Sequence, residues 1–64
     1  MLKIEIKTGN VAFTNDDGDF DPYWGGKEIE RILADIVEDI QNGYESGSCM
    51  DINGNKVGTW ELDV

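Results

Sequence analysis

Apolar and polar residues alternate at the start of the chain, with Leu2, Ile4 and Ile6 set against Lys3, Glu5 and Lys7. A side-chain period of two, rich in isoleucine, predicts a strand with one buried face. Thr8-Gly9-Asn10 interrupts it, and Val11-Ala12-Phe13 offers a second short apolar patch. From Lys27 the period lengthens. Ile29, Ile32, Leu33, Ile36, Val37 and Ile40 recur at helical spacing and predict one apolar stripe on a helix of about four turns. Asn42-Gly43 ends it, with Gly43 suited to the left-handed cap and Tyr44 placed for the apolar contact such caps often make.

The last third predicts a hairpin, Ser48 to Ile52 and Lys56 to Val64 around Asn53-Gly54, residues that tolerate the positive φ of tight turns. A three-residue loop with Gly54 in a bulge pairs Met50 with Lys56. It groups Met50, Ile52, Trp60, Leu62 and Val64 on the inner face, with Thr59, Glu61 and Asp63 outside. The expected fold is therefore α+β, in the order β-α-β-β. One helix packs on a three-stranded, mostly antiparallel sheet that ends in a C-terminal hairpin. Residues 1–64 form a single small domain, with Trp60, Leu62, Ile4 and Ile6 facing Ile29, Leu33, Ile36 and Ile40. The far side of the sheet, around Cys49, Val57 and Thr59, is expected to stay uncovered. No internal repeat or low-complexity segment stands out.

Size sharpens this reading, because a chain of 64 residues has room for one helix on one sheet and for no deep cleft. Charge changes it more. Fourteen acidic residues against five basic ones give −9, a balance that repels nucleic acid and anionic membranes and favours basic surfaces or cations. The plain alternative is that high net charge simply keeps a small domain soluble. Cys49 is the single cysteine, so no internal disulfide forms. The N-terminal stretch lacks the continuous apolar run of a signal peptide, and no segment reaches the roughly 20 apolar residues of a membrane span. The expected place of action is the cytoplasm.

Histidine is absent, which removes the commonest general base and a common metal ligand. No histidine activates Cys49 or any hydroxyl, and paired carboxylates need a desolvated cleft to divide acid from base. We expect no enzyme and no cofactor. The stretch Asn15 to Glu28 (NDDGDFDPYWGGKE) does place Asp17, Asp19, Asp21 and Glu28 at positions 1, 3, 5 and 12 of an EF-hand loop. Its sixth position, reserved there for glycine, is Pro22, and the residues before Asp17 predict strand and turn rather than an entering helix. Asp-Gly and Asp-Pro are also plain turn signals, and carboxylates ahead of a helix meet its positive dipole end. A metal site is therefore not expected. What remains is a charged surface. Asp16, Asp17, Asp19 and Asp21 lead into a helix whose outward face is expected to carry Glu28, Glu30, Asp35, Glu38 and Asp39. Residues four apart on a helix stand about 6 Å apart along its axis, comparable to phosphate spacing on a nucleic-acid strand.

Three stretches, IEIKTGNVAF, EIERILADIVEDIQNG and DINGNKVGTWEL, resemble a functionally uncharacterised family of small acidic proteins of bacterial viruses and mobile elements. The shared pattern is an IKT-x-N-x-AF strand, an E-x-x-RIL helix and a DINGN-x-VG hairpin. It covers most of the chain except Thr14 to Gly26. The resemblance implies a phage or prophage source and action in the bacterial host cytoplasm. It assigns no site residues. The first functional expectation is a non-enzymatic protein that binds a basic surface of a host protein through Asp16, Asp17, Asp19, Asp21, Glu28, Asp35, Glu38 and Asp39. Such a protein would inhibit or mimic nucleic acid toward a defence or DNA-processing enzyme, without binding nucleic acid or membrane itself. The alternatives are a structural or assembly protein, monomer or homodimer, pairing through the open sheet or an edge strand, and a small calcium module using the Asp17–Glu28 loop.

Overall fold

The computed structural model describes all residues, 1–64. The chain runs β1 (Leu2–Ile6), α1 (Trp24–Gln41), β2 (Ser46–Met50) and β3 (Lys56–Leu62). This is the order that the alternation and the helical stripe predict. The sheet order is β1-β3-β2, so the last strand lies between the other two and both its pairings are antiparallel. α1 covers one face of this open sheet.

The hairpin loop has the expected length, with Met50 opposite Lys56 and Gly54 at φ 84°. Its faces differ from expectation. The register shifts after Cys49, which pairs with Gly58 while Met50 pairs with Lys56, so Val57 is an extra residue on β3. One extra residue resets the alternation. Cys49 and Val57 thereby turn inward and become buried, while Met50, Ile52 and Val64 are exposed. The bulge also brings β3 close to β1: a Cβ on Gly58 would fall 1.8 Å from the Glu5 carbonyl oxygen, so only glycine fits there. The uncovered face is accordingly not built on Cys49 and Val57. It carries Lys3 and Glu5 of β1, Ser46 and Ser48 of β2, and Thr59 and Glu61 of β3.

The core consists of Phe13, Ile32, Ile36, Cys49, Val57 and Trp60, flanked by Ile4, Ile6, Ala12, Ile29, Ile40 and Leu62. Leu33 and Val37 are not in it, being 38% and 53% exposed. The helix is rolled so that its buried line runs Gly25, Glu28, Ile32, Ile36. Two contacts hold this roll. Arg31 reaches the Met50 carbonyl at the end of β2 (2.8 Å). Gly25 seats the first turn so closely on the preceding loop that a Cβ there would lie 2.8 Å from the Phe13 carbonyl oxygen.

The helix begins earlier than Lys27. Helical bonding starts at Gly25 N–H to the Asp21 carbonyl (2.7 Å). The Asp21 carboxylate accepts from Tyr23 N–H (2.9 Å) and Trp24 N–H (3.1 Å). Asp21 is thus the N-cap and Pro22 the first residue, where a missing N–H costs nothing. At the other end Gly43 takes φ 96°, and Tyr44 N–H donates to Asp39 and Gly43 N–H to Ile40, a Schellman cap. Tyr44 itself remains exposed, without the expected apolar burial.

Candidate functional site

The acidic loop is a small, ordered hairpin. Thr14 and Phe20 form a bridge, and between them Asn15 organises the turn. Its side-chain oxygen accepts from Asp17 N–H (2.9 Å) and Asp19 N–H (3.1 Å). Its backbone N–H donates to the Asp19 carbonyl (2.8 Å), and its carbonyl accepts from Gly18 N–H (3.0 Å). Gly18 takes φ 85°. The carboxylates of Asp16, Asp17 and Asp19 form none of these bonds and project from the tip into solvent.

The eight residues expected to share one surface divide. Asp16, Asp17 and Asp19 stand at the exposed loop tip, and Asp35 and Glu38 on the exposed helix, with Asp39 half-buried. Asp21 is half-buried and engaged in capping. Glu28 is 7% exposed, which corrects its placement on the outward helix face. Its carboxylate receives Arg31 Nη2 at 2.5 Å, while Arg31 Nη1 stands 3.4 Å from Asp35. The Glu28 hydrogen bond is the main reason the Arg31 pKa is raised above its ordinary value. The EF-hand spacing therefore does not gather its carboxylates: one caps a helix, one pairs with arginine, and two point to solvent. No group of three or more His, Cys, Asp or Glu side chains lies close enough to hold a metal ion.

Charge is sorted by face. On the open side of the sheet Lys3, Lys7 and Lys56 stand with Glu5 and Glu61. The loop and helix, Thr14 to Gln41, carry nine carboxylates with Lys27 and Arg31 alone. A groove of about 300 Å³ runs between α1 and β2, floored by Ile32, Ile36 and Cys49 and rimmed by Asp35, Glu38 and Asp39. Burial pushes the Cys49 thiol pKa up, which keeps it protonated and unreactive.

Two features escape a reading of the sequence. The first is a group of exposed aromatics at the foot of the acidic loop. Phe20, Tyr23 and Trp24 are 42%, 61% and 64% exposed. The Tyr23 and Trp24 rings meet edge to face at 4.9 Å, and Lys27 lies over Tyr23 at 5.1 Å. Their signal is the break in helical period, since none of them falls on the apolar stripe. The second is Asp51, 4% exposed. It accepts from Asn53 N–H (2.9 Å) and Asn55 N–H (2.8 Å) on one oxygen, and from Asn10 Nδ2 (2.8 Å) and Asn55 Nδ2 (3.2 Å) on the other. These bonds, led by that from the Asn55 backbone, hold its carboxyl below the ordinary aspartate range. The Asn10 bond joins the TGNVAF and DINGN stretches physically.

Comparison of the chain with family models, with curated proteins and with solved structures finds no match. No helix is long and apolar enough to cross a membrane.

Proposed function

We propose that this chain is a non-enzymatic binding protein of a bacterial virus or mobile element. It acts in the host cytoplasm by occupying a basic, nucleic-acid-binding surface of a host protein. The observation that carries this reading is the sorting of charge. Nine carboxylates of the loop and helix stand against two cations, and an ordered hairpin holds Asp16, Asp17 and Asp19 at its tip. Fixed charges of one sign steer association with a basic partner and disfavour acidic ones. Tyr23 and Trp24, exposed at the foot of that hairpin, supply the rigid aromatic area on which interface energy concentrates. The resemblance to small acidic viral proteins supports the source.

The test is capture of partners from bacterial lysate at low and at raised salt, with duplex DNA as competitor. The expected partner is a basic nucleic-acid-binding protein released by DNA and by salt. It should be lost when Asp16, Asp17, Asp19, Asp35, Glu38 and Asp39 become their amides, and weakened by Trp24→Ala without loss of fold. A partner that binds the six-fold amide variant at an unchanged rate and salt slope would overturn the reading.

A further inference from the structure

We infer that the outer edge of β2 is a docking site for an extended basic segment of the partner, which adds to the sheet as a fourth, antiparallel strand. This rests on the proposed function and specifies how the basic partner is held. Leu62 N–H donates to the Glu45 carbonyl (2.7 Å), and Gly47 and Cys49 follow in alternation as the residues bonded to β3. The N–H and C=O groups of Ser46 and Ser48 therefore face outward, where no strand lies, because β2 ends the sheet. Sheet edges of this kind are usually guarded by charge or proline. β1, the other edge, carries Lys3, Glu5 and Lys7, whereas Ser46-Gly47-Ser48 carries nothing of the sort.

The chemistry of the occupant follows from what stands beside this edge. Side chains of an added strand alternate, and those on the covered side would lie beside Gly47 and Cys49, along the groove rimmed by Asp35, Glu38 and Asp39. Lysine or arginine at alternate positions fits that rim. Arg31 closes one end by holding the Met50 carbonyl, so the usable edge is Ser46 to Ser48. Trp60 supplies an independent sign. It is 2% exposed, and its indole Nε1 has no hydrogen-bond partner. That nitrogen lies over Gly47, 2.7 Å from where a Cβ would stand, so position 47 carries no side chain and an incoming strand meets bare backbone there. A second copy of the chain is a poor occupant, since each copy carries −9.

The probe is a capped peptide of alternating threonine and lysine, seven residues long, with a twin N-methylated at its threonines. In antiparallel register the threonines stand opposite Ser46 and Ser48 and carry the bonding groups, so the twin keeps every charge and loses the strand. By titration calorimetry the parent should bind at least about tenfold more tightly than the twin. Amide exchange at Ser46 and Ser48 should slow only when the parent is present. Ser48→Pro, which removes an outward donor and no bond to β3, should abolish binding with the melting temperature nearly unchanged. Equal binding of parent and twin, weakened by Asp35→Asn with Asp39→Asn, would overturn strand addition and leave the acidic-surface reading standing. Absence of parent binding overturns the inference, as does protection of Ser46 and Ser48 without peptide at twice the monomer mass; neither decides the lysate experiment.

Discussion

Asn15–Asp19 and Asp51–Asn55 are the same turn built twice. In each, the first residue's N–H donates to the fifth residue's carbonyl at 2.8 Å, and the fourth, a glycine, donates to the first carbonyl at 3.0 Å. The first side chain accepts from the third and fifth amides, at 2.9 and 3.1 Å around Asn15 and at 2.9 and 2.8 Å around Asp51. The glycines take φ 85° and 84°. The difference lies outside the turn. Asp51 is buried and bonded to Asn10, so its turn ties the hairpin to the loop leaving β1. Asn15 stands in solvent, so its turn only presents Asp16 and Asp17. Local chemistry sets the conformation, and burial sets what the conformation is worth.

The largest expected effect separates the first residues of the two turns. Asp51→Ala removes four hydrogen bonds at once and leaves the Asn10 and Asn55 side-chain donors without an acceptor, so it should abolish cooperative thermal unfolding. Asn15→Ala loses two bonds to exposed amides and should cost about 1 kcal/mol, lowering the melting temperature by several degrees. Similar losses at both sites, read by circular dichroism, would break the distinction between buried and exposed turns.

Acid should separate them next. A carboxyl whose folded pKa is depressed contributes stability that is fully present above its unfolded pKa and is lost as pH falls through the folded value. For Asp51 that places the loss below about pH 4. Asp51→Asn, destabilised at neutral pH by facing two amide donors with one of its own, should show a shallower decline over that window. Asn15→Ala, which removes no titrating group, should keep the parent's slope. The check is the melting temperature measured from pH 6 down to pH 2.

Glycine tests the half of the comparison that predicts sameness. At Gly18 and Gly54 no atom lies within 4 Å of where a Cβ would stand, so what glycine supplies at each is the positive φ alone. Alanine at either should cost about 1–2 kcal/mol. A cost at Gly54 several times that at Gly18 would show that burial reaches into the turn's own conformation.

Much of this architecture is legible along the chain, and the failures have one cause. Period two in Leu2–Ile6 and the stripe from Ile29 to Ile40 give the strand, the helix and their order, because those signals are local. Inward and outward assignment fails wherever one residue of offset decides it. The extra Val57 reverses Cys49 and Met50, and the roll of α1 trades Leu33 for Glu28. Neither shows in a periodicity, since a bulge and a roll are fixed by partners distant in sequence, Glu5 and Met50. The repeated turn is a different kind of miss, because its signal is local. Asparagine or aspartate at the first, third and fifth places around a glycine reads as a motif, though only burial tells Asp51 from Asn15.

The smallest expected effect comes from exchanging what the turns display. Asp16 and Asp17 face solvent, as do Ile52 (70% exposed) and Asn53, and none of the four side chains makes a bond that holds its turn. The exchange places Ile and Asn at positions 16 and 17, and Asp and Asp at 52 and 53. Each part should change stability by no more than about 0.5 kcal/mol, the range of surface substitutions that touch no structural feature. The two halves should differ in sign. Asp16→Ile with Asp17→Asn relieves repulsion among loop carboxylates, whereas Ile52→Asp with Asn53→Asp adds charge to a chain already at −9. Raising the salt should shrink both changes, because screening acts over about 8–10 Å. If the loop variant keeps its fold and its stability yet no longer binds the basic partner proposed above, the first turn exists to display charge and the second to hold the molecule together.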